Sequence, residues 1–207
     1  NYFLPFARLA PVQCTSWGTQ VTSGVPQMDD YLSSHWIETD VADDHYSERL
    51  VRLSTLPTYQ VRIAPAPPQS RAYFGLPEDR RIYLCCQNLL KLHPGGDALF
   101  SDVLRRDPGG ILVLKENRWP EIGRRVRARF ARTLAGVIDR VIFVPWQSYD
   151  DYRSLLLQAD VVLDTLHFGA GSSNYDFMSY GLPMVTLPGE FNVGRYTQAC
   201  YRKMGMT

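Results

Sequence analysis

The stretch that decides the fold is residues 160–190, DVVLDTLHFGAGSSNYDFMSYGLPMVTLPGE. Its apolar run Val161–Leu163 predicts a buried parallel strand. A loop of small residues follows at 169–174, and the helical pattern after it ends at Gly181. A second apolar strand begins at Met184. The order strand, glycine-rich turn, helix, strand is the repeating unit of an α/β protein.

The loop at 169–174 has a composition that suits a phosphate. The first turn of a helix has backbone N–H groups without intrahelical partners, and the helix dipole adds partial positive charge. Glycine lets the backbone approach an anion, and the hydroxyls of Ser172 and Ser173 can donate as well. Asp176 would repel a phosphate but can accept hydrogen bonds from ribose hydroxyls. A plain helix cap by either serine, with Asp176 as the dipole partner, explains the same residues.

Composition limits the classes of partner. The chain has 207 residues, of which 45% are hydrophobic and 21% charged, which is typical of a globular protein of one large or two small domains. The formal charge of +1 gives no basic field, so no nucleic acid is expected, and no apolar run predicts a membrane partner. The four cysteines lack metal-ligand spacing, which favours free thiols and a cytoplasmic location. The abrupt start at Asn1 favours a fragment of a longer protein.

The first 78 residues show no regular alternation of predicted strands and helices. Short strands are predicted at 12–16 and 32–37, and prolines mark connecting chain at 56–80. Between them, residues 38–54 carry a pattern of helical spacing formed by Tyr46, Leu50 and Leu53. A domain boundary is placed near residue 78.

Residues 79–207 alternate strands with helices. Strands are predicted at 82–86, 111–114, 141–144, 161–163 and 184–187. This rhythm predicts an α/β fold with a doubly wound parallel sheet and right-handed crossovers. The loops 87–91, 145–149 and 166–173 each follow a strand, so we expect them to converge on the carboxyl edge, where such sheets bind ligands.

The sequence resembles the C-terminal catalytic region of the O-GlcNAc transferase family, in particular its bacterial members. The likeness is carried by LDTLHFGAGSSNYDFMSYGLPMVTLPGE, CCQNLLKLHP, RVIFVPW and APVQCTSWGTQVTSG. It implies a two-lobed glycosyltransferase fold of the B type, with the nucleotide-sugar between the lobes. Residues 1–78 would be the end of the amino-terminal lobe and the interlobe connection. Residues 79–207 would be the Rossmann-like nucleotide-sugar-binding lobe, truncated at its C-terminus.

The resemblance implies roles for the residues around the phosphates. Lys91 matches a family lysine that contacts the diphosphate, where an ammonium would offset charge on the leaving UDP. A surface lysine is the alternative. Ser172 and Ser173 match paired threonines that hold the diphosphate, and Asp176 matches the aspartate that binds the ribose.

Three further positions are implied at the nucleotide. Asn88 falls where the family has a glutamine beside the phosphates, with Gln87 as the alternative one position earlier. Trp146 and Gln147 fall where backbone groups contact the uracil.

Departures from the animal enzymes concern the base and the phosphate loop. Tyr149 and Tyr152 replace a lysine and a histidine that frame the uridine, and tyrosine can stack on a base. Gly171 replaces a histidine before the paired hydroxyl residues. His167 is the histidine that we expect in the site, with simple loop packing as the alternative.

Together the resemblance implies transfer of a sugar, N-acetylglucosamine, from a UDP-sugar to Ser or Thr of a protein. The partners would be a nucleotide-sugar donor and a protein or peptide acceptor, without a metal or another cofactor. One alternative is transfer of another sugar, such as fucose from a GDP-sugar or glucose to asparagine. Another is a non-catalytic module that binds nucleotide-sugars. The chain alone is expected to be inactive, and the sequence assigns no catalytic base.

Overall fold

The computed structural model describes residues 3–19, 21–62, 64 and 67–206. Strands and α-helices are numbered in chain order. The strands are β1 (Cys14–Ser16), β2 (Asp30–Ser34), β3 (Arg49–Leu53), β4 (Arg81–Cys85), β5 (Gly110–Lys115), β6 (Val141–Val144), β7 (Val161–Leu163) and β8 (Met184–Val185). The helices are α1 (Asp97–Arg106), α2 (Pro120–Thr133), α3 (Tyr149–Leu156), α4 (Ser173–Ser179) and α5 (Tyr196–Lys203).

The chain divides into two compact units. The first unit comprises Asn1–Gln60 and Leu187–Thr207, and the second comprises Val61–Thr186. Each unit has its own parallel sheet, three strands in the first and five in the second.

The predicted boundary at residue 78 differs from this division in two places. The chain just before it belongs to the second unit, where the backbone N–H of Gln69 donates to Ser154 Oγ at 2.6 Å. The last helix, α5, belongs to the first unit, where Arg195 Nε donates to the carbonyl of Ile37 at 2.6 Å. Such bonds join residues far apart in the chain, so local composition gives no sign of them. The identity of the two units as lobes of a larger enzyme stays a prediction.

The first unit corrects one prediction of secondary structure. The helical pattern predicted within 38–54 is wrong, because β3 is a strand whose five residues pair in parallel with β2. A short 3-10 helix, Ala42–His45, precedes it, and the backbone is already extended at Tyr46. Helical spacing of three apolar residues is a weak local preference. Pairing along a central strand outweighs it.

The five-stranded sheet of the second unit confirms the predicted fold class. Its order is β6-β5-β4-β7-β8, and every neighbouring pair is parallel. The chain therefore runs outward from β4 to one edge and then restarts on its other side at β7. A sheet with this reversal is doubly wound, and it has its ligand crevice at the carboxyl ends beside the switch point.

Helix α2 shows how the helices cover this sheet. Val126 and Phe130 are buried in a core cluster with residues of α1 and β5, and Ile122 packs against the same cluster. Arg124 and Arg125 are exposed, so the opposite face of the helix is charged and in contact with solvent. Among the described residues, no helix combines the length and the apolar composition that a membrane crossing requires.

Candidate functional site

Three loops meet at the carboxyl edge of the five-stranded sheet. The strands β4, β6 and β7 are parallel, so the loops 87–91, 145–149 and 166–173 that follow them lie at one edge, as predicted. Two side chains from the first loop, Gln87 and Lys91, contact the third loop directly. The sheet thus brings together residues that are about 80 positions apart in the chain.

Asp164, at the end of β7, organises the loop that follows. Its Oδ1 accepts the backbone N–H groups of Thr165 at 2.9 Å and Ala170 at 2.8 Å. Its Oδ2 accepts the hydroxyl of Thr186 at 3.0 Å. A Cβ on Gly169 would come within 3.0 Å of this carboxylate, so glycine permits the close approach. The carboxylate therefore fixes the turn that presents the Gly169 carbonyl. The sequence analysis did not identify Asp164 as a site residue. Its position directly after a buried strand could have indicated a role at the carboxyl edge.

Lys91 lies at the end of a 3-10 turn, Leu89–Lys91, after β4. Its Nζ donates to Gln87 Oε1 at 3.1 Å and to the carbonyl of Gly169 at 2.9 Å. The ammonium also lies over the ring of Phe168, 4.3 Å from its centre. Burial lowers the pKa of Lys91, and the charge of Asp164 opposes that effect. A half-buried cation held by neutral groups remains attractive to an anion.

Gln87 links two of the predicted phosphate residues, Lys91 and Ser173. It is 5% exposed, and its Nε2 donates to Ser173 Oγ at 3.0 Å while its Oε1 accepts from Lys91. The side chain of Asn88 is exposed instead; its Oδ1 caps the 3-10 turn at the N–H of Leu90 and accepts from the amide of Asn117 at 2.7 Å. Of the two neighbouring candidates, the structure brings Gln87 to Lys91 and Ser173.

The start of α4 holds the two predicted serines and Gly171. Ser172 occupies the N-cap position, but its side chain makes no capping hydrogen bond and is exposed. Ser173 begins the helix and accepts from Gln87. The buried side chain of Asn174 donates to the carbonyl of Ala170 at 2.6 Å and so fastens the helix to the preceding loop. The serine hydroxyls are therefore not consumed by capping, in contrast to the plain capping alternative.

Asp176 and Tyr152 form a pair one turn further along α4. Burial raises the pKa of both groups, and the charge of Asp176 adds to the effect on Tyr152. The Tyr152 ring is buried, with the ammonium of Lys115 4.8 Å from its centre. The ring of Tyr149 stacks at 6.3 Å and is 53% exposed. Of the two tyrosines proposed for the base, Tyr149 is the one that presents a face to solvent.

A cavity of about 250 Å³ opens at the ends of β4, β5 and β6. Its lining includes Gln87, Asn88 and Trp146, together with residues 115–119. Trp146 is 60% exposed, and the neighbouring Gln147 donates to the carbonyl of Pro145 at 2.7 Å. Gln87 therefore belongs to both parts of the edge, the cavity on one side and the Lys91–Ser173 cluster on the other.

His167 lies in the loop after β7 with a positive φ of 65°, rare for a residue other than glycine. It is exposed, and its ring meets that of His93 edge to face at 4.6 Å. His93 in turn accepts the backbone N–H of Gly95 at 3.1 Å. The observed partner of His167 is thus another loop residue, and its role toward a ligand stays a prediction.

A doubly wound sheet with a cationic, hydroxyl-lined crevice at its switch point defines the class of protein, a Rossmann-like α/β protein with its ligand crevice at the carboxyl edge. The chain belongs to glycosyl transferase family 41, whose family model matches residues 65–207. This confirms the resemblance drawn from the sequence.

Two relatives show how far the likeness extends. The chain is 30% identical over 188 residues to the probable UDP-N-acetylglucosamine–peptide N-acetylglucosaminyltransferase SEC of Arabidopsis thaliana, covering 86% of this chain and 19% of that protein. A solved structure of a mutant O-GlcNAc transferase from Thermobaculum terrenum is 26% identical, with a TM-score of 0.78, over 95% of this chain and 37% of that one. The chain thus spans only a minor part of each relative.

Proposed function

We propose that the protein containing this chain transfers N-acetylglucosamine from UDP-N-acetylglucosamine to serine or threonine hydroxyls of other proteins. The observation that carries the proposal is the cluster at the carboxyl edge. There Gln87 joins Lys91, in the loop after β4, to Ser173, at the start of α4 after β7. Family membership and the two relatives, both N-acetylglucosaminyltransferases by name, support the same reaction.

The chemistry needs a group that accepts negative charge. As the bond between the sugar carbon and the diphosphate oxygen breaks, charge grows on the leaving UDP, and the acceptor oxygen forms the new bond after losing its proton. In this proposal the Lys91 ammonium stabilises that charge, and the Ser173 hydroxyl holds the diphosphate in both the ground state and the transition state. Asp176 accepts hydrogen bonds from the ribose, and backbone groups at Trp146 and Gln147 contact the uracil. The base that takes the acceptor proton is not assigned.

We propose further that the reaction needs no metal ion. The reason is that Lys91 supplies, next to the diphosphate, the positive charge for which many nucleotide-sugar enzymes use a divalent cation. Transfer should therefore continue at full rate in excess EDTA. Loss of activity in EDTA, restored by Mg²⁺ or Mn²⁺, would contradict this.

A cytoplasmic location is also part of the proposal. Cys14, Cys85, Cys86 and Cys200 are free thiols, a pattern that suits a reducing compartment. Fractionation of cells with an antibody against the protein checks the location.

The test uses the full-length protein and two measurements. Calorimetry with UDP and with GDP asks which nucleotide binds, and mass spectrometry of acceptor peptides asks which sugar is added and to which residue. We expect UDP binding and an added N-acetylhexosamine on serine or threonine. Binding of GDP with transfer of fucose, or a hexose on asparagine, would establish another sugar transfer. Binding without turnover would establish a non-catalytic module. The chain of 207 residues alone is expected to show no transfer, because it spans a minor part of its relatives.

A further inference from the structure

We propose that Gln87 is a positioning residue that directs the Ser173 hydroxyl and the Lys91 ammonium toward the diphosphate as one unit. The inference rests on the proposed function, since a bound diphosphate is what would use both donors. It concerns a residue that the family resemblance left as an alternative to Asn88.

The orientation of the Gln87 amide follows from its partners. A lysine ammonium can only donate, so the amide atom that faces Lys91 at 3.1 Å must be the oxygen. The amide nitrogen then faces Ser173 Oγ at 3.0 Å, and this nitrogen can only donate. Ser173 Oγ is therefore an acceptor toward Gln87. Its own hydrogen has to point elsewhere, and it is available to a ligand oxygen.

The same amide also orients the ammonium. Gln87 Oε1 and the carbonyl of Gly169 take two of the three hydrogens of Lys91. Within the part of the chain that the structure describes, no third oxygen accepts from Lys91, whose ammonium otherwise lies over the Phe168 ring at 4.3 Å, so one hydrogen is available to a ligand oxygen. The two protein oxygens thus fix the direction of the ammonium without neutralising its charge.

Burial makes the arrangement rigid. Gln87 is 5% exposed, and a buried amide that loses a partner leaves a polar group unsatisfied, which opposes rotation of the side chain. The amide joins the loop after β4 to the start of α4, so the donors from the two loops keep a fixed relation. Donors that are oriented before the charge develops need no reorganisation during the reaction, which is why such sites accelerate group transfer.

The primary test is Gln87→Glu in the full-length protein. A carboxylate only accepts, so it would attract the Ser173 hydrogen and pair with the Lys91 charge, and both donors would turn toward the protein. We expect UDP to bind about tenfold more weakly or worse, with a larger fall in kcat than rise in KM. Gln87→Met keeps the size of the side chain and removes both hydrogen bonds. This variant should weaken UDP binding through the loss of the two hydrogen bonds alone, because methionine adds no negative charge.

A double-mutant cycle separates positioning from general stability. If Gln87 acts through Ser173, Gln87→Met should cost much less UDP affinity when Ser173 is already alanine. A structural role alone would give the same loss in both backgrounds. Thermal melting of each variant by circular dichroism shows whether the fold is retained.

The matched control is Gln158→Glu. It makes the same chemical change in the second unit, where Gln158 Nε2 donates to the carbonyl of Gln69 at 2.9 Å, between α3 and the amino end of β7. We expect UDP affinity and turnover as in the wild type. If the wild type binds UDP and both Gln87 variants bind it equally well, the positioning role is wrong and the proposed function stands. A wild type that binds neither UDP nor GDP would overturn both.

Discussion

The two edges of the five-stranded sheet handle charge in opposite ways. At the amino edge, the carboxylate of Asp107 accepts hydrogen bonds from the guanidinium of Arg81, the hydroxyl of Tyr83 at 2.9 Å and the N–H of Gly109 at 3.0 Å. The Arg81 hydrogen bonds hold the pKa of Asp107 well below its usual range. At the carboxyl edge, the ammonium of Lys91 is held by neutral oxygens and its pKa is lowered by burial.

The difference separates a structural charge from one suited to a ligand. The ion pair of Arg81 and Asp107 holds the ends of neighbouring strands together. Because the carboxylate already neutralises the guanidinium, the pair attracts an incoming anion only weakly. A partly desolvated cation whose hydrogen-bond partners are uncharged keeps its charge available to an incoming anionic ligand.

Removal of Lys91 should have the largest effect. Because charge on the diphosphate grows as the sugar bond breaks, Lys91→Ala in the full-length protein should lower kcat by about two to three decades, roughly 2.7–4 kcal/mol, and change KM less. Steady-state kinetics with the donor varied at saturating acceptor measure this. Lys203→Ala, on α5, is the matched control and should keep wild-type turnover. Wild-type turnover in Lys91→Ala would show that transfer does not use the Lys91 charge and would remove the contrast between the edges.

The pH dependence should report the lowered pKa of Lys91. Burial disfavours the charged form, so the ammonium loses its proton at a lower pH than a free lysine. Activity that needs the charge is complete below this pKa and is lost as the pH rises through it. We expect the alkaline limb of kcat/KM to lie below about 10.4, the value for an unperturbed lysine.

The check for this limb is Lys91→Arg. Arginine stays charged over the whole pH range of the assay, so kcat/KM of this variant should show no alkaline limb, even if its rate is lower than that of the wild type. An unchanged limb in Lys91→Arg would assign the titration to another group.

The two serines at the start of α4 should differ from each other. Ser173→Ala should weaken UDP binding about tenfold, near 1.5 kcal/mol for a hydrogen bond to a charged group, with a smaller change in kcat. Ser172→Ala should cost less, because its exposed side chain is not held by Gln87. Calorimetry with UDP measures both. Equal losses would mean that the contact with Gln87 does not distinguish the serines.

The amino edge should affect stability and leave catalysis alone. Asp107→Asn removes a carboxylate whose pKa is lowered in the folded state. In the wild type this carboxylate stabilises the fold above its unfolded pKa of about 3.9, and the stabilisation decreases as the pH falls below that value. We expect a lower urea midpoint at pH 7, a smaller difference from wild type near pH 3, and unchanged kcat. A large fall in kcat at full folding would show that the amino edge also shapes the site.

The accuracy of the sequence prediction differed between the two sheets. In the second unit β6 and β7 lie where predicted, because runs such as Val161–Leu163 are buried on both faces and read as continuous apolar segments. In the first unit β3 was missed. Leu50 and Leu53 are spaced as in a helix, and the strand is set by pairing with β2, a partner that precedes it by about 19 residues.

The sequence by itself determined the alternation of strands and helices, the edge at which the three loops meet, and the family to which the chain belongs. These follow from local periodicity, from the geometry of parallel strands and from motifs that are contiguous in the chain. Tertiary structure alone decided that Gln87, not Asn88, joins Lys91 to Ser173, and that Asp164 fixes the loop between them. The physical reason is that the direction of a side chain and its hydrogen-bond partners depend on which loops the sheet brings into contact. Neighbouring residues of similar chemistry cannot be told apart until those loops are in place.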